Sequence, residues 1–197
     1  MINHIDYKLP KNNFINKVYK KTQIVIGNSF NNNMNHYNGW ISRYEDYKKT
    51  AMFTIDISGN IYQHFDPKYY SNFLQINNID DRIISIVLEN EGWLNKVDDK
   101  YYNLYGNEYI ISHLIEYKNW RGHQYWVKYN EYQLDSLVLL CKHLCEKFNI
   151  KLQTIGHNIK VDDIYDYEGI TFRSNYNKWF SDLNPSFEYE LFKEKLK

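Results

Sequence analysis

Seven histidines, two cysteines and 24 carboxylate side chains are the groups in this 197-residue chain that could ligate a metal or move protons. Their spacing offers no local metal motif. His157, in the string TIGHNIK, is the best single candidate for a site, but no second histidine lies three to five residues from it. His36, His113, His123 and His143 are scattered singles, expected on the surface or packed in the core. His64 alternates with Tyr62 and is expected at the surface or end of a strand. Asp162, Asp163 and Asp166 cluster in VDDIYDYEG, without the glycine and terminal glutamate spacing of a calcium loop. Ser29 and Ser174 sit in no nucleophile elbow. Spacing alone therefore yields no catalytic constellation.

The elements that must position these groups are more legible. Leu134, Leu137, Val138, Cys141, Leu144, Cys145 and Phe148 recur at three- and four-residue steps, which predicts a helix over 131–148. Asn130 followed by Gln133 reads as a capping box before it. Cys141 and Cys145 then both face inward as core thiols, which argues against a disulfide or a thiolate metal site. Strands are predicted at 22–26, 51–57, 61–65 and 82–89, the last apolar enough to be covered on both faces. Ser58-Gly59-Asn60 supplies hairpin turn chemistry between the second and third. A short helix is expected over 36–49, with Trp40, Ile41 and Tyr44 inward, and another over 186–196 with Pro185 near its start. The stretch 95–130, rich in Tyr and Trp, reads as an insertion or long aromatic loop. Together these describe an α/β fold: one domain over 1–197, a mixed central sheet with helices on its faces.

Lys+Arg and Asp+Glu are both 24, so the formal charge is zero, which argues against a general nucleic-acid binder. No stretch is long enough to span a bilayer, and the first residues, MINHIDYKLP, do not read as a signal peptide. The expectation is a soluble protein, cytoplasmic at synthesis. The 20 Tyr, 10 Phe and 5 Trp suit interfaces and sugar-like ligands, or reflect a biased genome.

Four strings in order, KTQIVI, AMFTIDISGNIYQHFDPKYY, ISIVLENEGWL and SDLNPSFEYELF, resemble the zinc-dependent N-acetylmuramoyl-L-alanine amidases of the amidase-2 type, related to peptidoglycan-recognition proteins. NEGWL is similar to phage-like members. The resemblance runs from about Lys21 to Phe192. It implies an amide hydrolase that cuts between the lactyl group of N-acetylmuramic acid and L-alanine, with zinc held by two His and an Asp or Cys. Carried over residue by residue, the first ligand position is Gly27, followed by Asn28 and Ser29. The second falls at Arg173 in GITFRSN, and the third at Asp182, with Asn184 taking its place if the alignment shifts. The assisting glutamate of the central strand aligns with Val87.

Glycine has no ligand atom and a guanidinium repels a cation. The resemblance therefore implies a degenerate site with no zinc, and an Arg173–Asp182 ion pair in the metal's place. Such a domain would bind peptidoglycan or a muramyl peptide through Asn28, Ser29, His157, Arg173 and Asp182. The alternatives are an active amidase whose zinc is held by His157 and Asp182, and a structural, interaction or small-ligand protein. In the interaction reading, 95–130 is the surface offered to a protein partner. The phage-like strings imply a viral or prophage origin, with carriage in a particle or release on lysis.

Overall fold

The structure, a computed structural model, describes residues 2–44 and 46–197. Its strands in chain order are β1 (Ile5–Asp6), β2 (Gln23–Asn28), β3 (Phe53–Ile55), β4 (Ile61–Gln63), β5 (Ile83–Leu88), β6 (Trp93–Val97), β7 (Lys100–Tyr102), β8 (Ile115–Trp120), β9 (His123–Val127) and β10 (Gly169–Phe172). The helices are α1 (Asn35–Ser42), α2 (Glu131–Phe148), α3 (Arg173–Tyr176) and α4 (Tyr189–Leu196).

Six strands form a mixed sheet in the order β1-β4-β3-β5-β2-β10. β2 and β5 are buried along their whole length and run parallel, as their Ile- and Val-rich strings require when both faces are covered. β10 pairs parallel on the far side of β2 and β3 on the far side of β5. β3 and β4 are the antiparallel hairpin the Ser58-Gly59-Asn60 turn predicts. The turn is held by Asp56, whose carboxylate accepts from the Ser58 and Asn60 backbone N–H groups at 2.9 and 2.8 Å. Gly59 adopts φ +82°, and a Cβ there would lie 2.7 Å from the Tyr132 carbonyl oxygen, so this turn is pressed directly onto α2.

α2 spans the predicted residues and buries the predicted face, with Cys141 and Cys145 free and buried. Asn130 caps it by accepting from the Gln133 backbone N–H at 3.0 Å. The reciprocal half of a capping box does not form, because the Gln133 side chain donates instead to the Glu89 carbonyl at 2.8 Å. Asn130→Ala is expected to cost about 1 kcal/mol, lowering Tm by roughly 2–4 °C in a thermal melt.

Several expectations need correction. α1 ends at Ser42, and Ile41 and Tyr44 are exposed at 45% and 64%, since only Trp40, Tyr37 and His36 face the sheet. The 95–130 stretch is no loop. β6 to β9 form a second, antiparallel sheet in the order β7-β6-β9-β8. One face closes a small core of Leu94, Tyr109 and Val127. The other carries Trp93 stacked on His123 at 4.5 Å, with Trp126 buried beside them. This sheet is pinned to the first by buried amides: Asn90 Nδ2 and Asn184 Nδ2 both donate to the Val127 carbonyl at 3.0 Å, and Asn184 Nδ2 also donates to Asn90 Oδ1 at 3.0 Å. Among the described residues no helix is long and apolar enough to cross a membrane.

Candidate functional site

The carboxyl ends of parallel strands are where open α/β sheets place their sites, because loops diverge there and leave a crevice. In-register neighbours share a face of a sheet. Thr54, Val87 and Gly27 are in register across β3, β5 and β2, so they form one row at that edge. Phe172 pairs with Ile26, which brings Arg173, the next residue, alongside Gly27. Asp182 returns from the segment after α3 to the same point.

Arg173 Nε donates to Asp182 Oδ2, and both side chains are largely buried. The Asn28 backbone N–H reaches the same oxygen at 3.3 Å. The guanidinium lies between two rings, 5.4 Å from the Phe73 centroid and 5.1 Å from that of Phe180. Gly27 is what admits this pair: a Cβ at that position would sit 2.9 Å from Arg173 Nε and 3.1 Å from both Arg173 Cδ and Asp182 Oδ2. Any side chain at residue 27 must therefore displace the ion pair. Gly27, Arg173 and Asp182 thus meet at one place.

In front of the pair lies a cavity of about 210 Å³, lined by Asn28, Ser29, Phe30, His36, Trp40, Arg43, Tyr47, Lys49, Phe73, Val87 and Arg173. Ser29 spends its hydroxyl proton on the Asn31 carbonyl at 2.6 Å. Asn28 is 3% exposed; its Oδ1 accepts from the Phe30 N–H at 3.1 Å, while its Nδ2 has no protein partner. Lys49 is half-buried, and burial together with the positive charges of Arg173 and Arg43 lowers its pKa.

His157 does not join this group. Its ring packs 5.8, 5.5 and 5.6 Å from the rings of Phe172, Phe187 and Tyr189, and its Nε2 is buried without a partner. Burial drives its pKa down to about 4. Among the described residues no three His, Cys, Asp or Glu side chains converge as a metal site. Asn184, the other candidate for the third ligand position, is consumed by the amide network linking the sheets.

Sequence reasoning missed a buried chain behind the cavity. His64 is fully buried, not at a surface, and hydrogen-bonds through Nδ1 to the Tyr7 carbonyl at 2.8 Å. A carbonyl only accepts, so Nδ1 carries the proton and Nε2 accepts from the Thr54 hydroxyl at 2.8 Å. Thr54 Oγ1 then accepts from His36 Nε2–H at 2.9 Å. The remaining His36 nitrogen, Nδ1, faces Glu89 Oε1 at 3.7 Å. Burial pushes Glu89 up to about 7 and His36 down to about 3, so this is a neutral ring beside a carboxyl and not an ion pair. The sequence signal was Thr54, a polar residue at an inward position between Phe53 and Ile55.

Comparison with known proteins bears on this geometry. The family model described as N-acetylmuramoyl-L-alanine amidase matches residues 19–168. No curated protein matches. Among solved structures, the chain resembles the N-acetylmuramoyl-L-alanine amidase LysC from Clostridium intestinale URNW, at 14% identity over 100% of this chain and 98% of that one, with TM-score 0.58. A mutant endolysin from Bacillus subtilis is similar at 15% identity over 100% of both chains, with TM-score 0.61. The amidase AmiD from E. coli, solved in complex with anhydro-N-acetylmuramic acid-L-Ala-D-gamma-Glu-L-Lys, is similar at 12% identity over 96% of this chain and 61% of that one, with TM-score 0.60. At these identities the structural likeness speaks to the fold.

Proposed function

The chain belongs to the N-acetylmuramoyl-L-alanine amidase family, and from that premise we propose that it binds peptidoglycan or a muramyl peptide in the inherited groove without zinc hydrolysis. The carrying observation is the meeting of Gly27, Arg173 and Asp182 at the carboxyl ends of β2 and β10. These residues do not fit a zinc ion. Gly27 offers no atom, Arg173 brings a permanent positive charge, and Asp182 Oδ2 is already held by two donors. Val87 stands where the resemblance places an assisting glutamate, so no carboxylate projects from that position.

What the groove keeps is binding capacity. Trp40, Tyr47 and Phe73 supply apolar wall, and Arg173, Lys49 and Asn28 supply donors. Binding of a muramyl-peptide fragment in AmiD supports this ligand class. The endolysins among similar structures support reading the chain as phage-encoded, carried in a particle or released on lysis.

The test is co-sedimentation with purified peptidoglycan sacculi, alongside an assay for stem-peptide release in the presence of zinc. Retention without release is the expected result. The control is Arg173→Ala paired with Asp182→Asn, since removing Arg173 alone strands a buried carboxylate at a cost of roughly 3–5 kcal/mol. The paired variant should stay folded and lose most retention. Peptide release by the unsubstituted chain, with one zinc per chain, would instead support the active reading built on His157 and Asp182.

A further inference from the structure

Arg173 makes one hydrogen bond within the protein, through Nε, and its four Nη hydrogens have no acceptor among the described residues. It nevertheless lines the cavity with its side chain only 13% exposed. A guanidinium fork held between two rings, with its outer edge open, is the geometry that accepts two oxygens side by side. Two more cations border the same cavity. Arg43 spends one nitrogen on the Tyr47 hydroxyl at 3.0 Å and lies 4.9 Å from that ring's centroid. Lys49 has no carboxylate within 4 Å among the described residues. The buried, unpartnered Nδ2 of Asn28 is a further donor in the lining.

Among the described residues the charged side chains lining the cavity, Arg43, Lys49 and Arg173, are all positive. Asp182 is turned into its bond with Arg173, and Glu89 lies behind His36, outside the cavity lining. The cavity, about 210 Å³, opens to solvent, so a carboxylate can enter it while the rest of the ligand lies outside.

We infer that this cavity is an oxyanion site, in which the Nη edge of Arg173, with Lys49 and Arg43, takes a free carboxylate of the ligand and rejects its carboxamide. The inference rests on the binding function proposed above and adds what the groove selects. Where a dication would polarise an uncharged carbonyl, this chain presents fixed cations matched to a group already charged. A carboxamide would place an N–H₂ against these donors and leave them unpaired, which is what makes the discrimination large.

The experiment is isothermal titration calorimetry of the full chain with three probes: muramyl dipeptide bearing free carboxylates, the same compound with its carboxylates amidated, and inorganic phosphate. Lys49→Gln and Arg43→Gln, both near the cavity rim, are titrated in parallel with thermal melts to confirm folding. The acid should bind at least 10-fold more tightly than the amide. Each substitution should weaken the acid several-fold, weaken the amide less and flatten the dependence on salt. Phosphate competing as well as the acid would mean the site takes oxyanions without regard to shape, and would overturn the carboxylate assignment. Equal binding of acid and amide with sacculus retention intact would overturn the inference while leaving the binding function standing. Failure of all three probes to bind would overturn it too, and loss of sacculus retention alongside would remove the underlying function.

Discussion

A chain carrying Gly27→His and Arg173→His together is expected to take up one zinc ion, and the unsubstituted chain none. Catalytic zinc sites need three protein donors and tolerate no cation among them. The double substitution supplies two imidazoles at adjacent strand ends and frees Asp182 as the third donor. It also removes the two closest obstacles to a side chain at residue 27, both of them atoms of Arg173. The remaining neighbour of that Cβ is Asp182 Oδ2 at 3.1 Å, so the new side chain starts beside the carboxylate it must share a metal with. Metal analysis after dialysis gives the stoichiometry. Thermal melts give a second readout: free zinc at a hundred times Kd adds about 2.7 kcal/mol, which for a chain of this size is roughly 5–10 °C. A single zinc in the unsubstituted chain would defeat the argument and direct attention to His157.

The second large effect concerns acid. Stability should fall steadily as the pH drops from about 6 to 4, as proton uptake drives unfolding. Burial holds His36 near 3 and His64 and His157 near 4, against an ordinary value of 6.5. For each, the unfolded chain binds the extra proton, so the stability present above pH 6.5 is lost as pH falls toward the folded value. Two buried carboxyls act oppositely. Glu89 is raised to about 7 and Asp80 to about 6, so the folded chain binds protons first and gains stability as pH falls below those values. Three histidines against two carboxyls leave a net of one proton between about pH 4.5 and 6. Below that window the unfolded carboxyls protonate, but folded His64 and His157 take up protons near pH 4 as well, so the net stays near one proton, or about 1.4 kcal/mol per pH unit. Urea unfolding at pH 6.5, 5.0 and 4.0 reads this directly. Stability that holds level or rises from pH 6.5 to 4.0 would show that these histidines are not buried neutral.

The parts of the fold legible in sequence were those with one dominant signal. α2 has an unbroken apolar face, the β3–β4 turn has its glycine, and β5 is apolar throughout. The second sheet was illegible as a sheet because its strands mix exposed Lys and Asn with aromatic residues, and both faces carry rings. β10 was missed because four buried residues after a loop give no period to measure. The candidate site divided along the same line. Gly27, Arg173 and Asp182 were reached only through the family resemblance, carried over one position at a time, with Asn184 as the alternative to Asp182. Lys49, Arg43 and the His36–Thr54–His64 chain were not reached, because sheet register and the packing of α1 bring them together, and neither is written in local spacing.

The close approach at Gly27 also governs the order in which this site can change. Gly27→His made first drives a Cβ to 2.9 Å from Arg173. Arg173→His made first leaves the Asp182 carboxylate buried without its guanidinium. Each intermediate is less stable than either endpoint, so a valley separates the ion-paired site from a metal-binding one. A library of single substitutions would score these positions as intolerant and return no gain of metal binding. Only paired libraries would find the crossing.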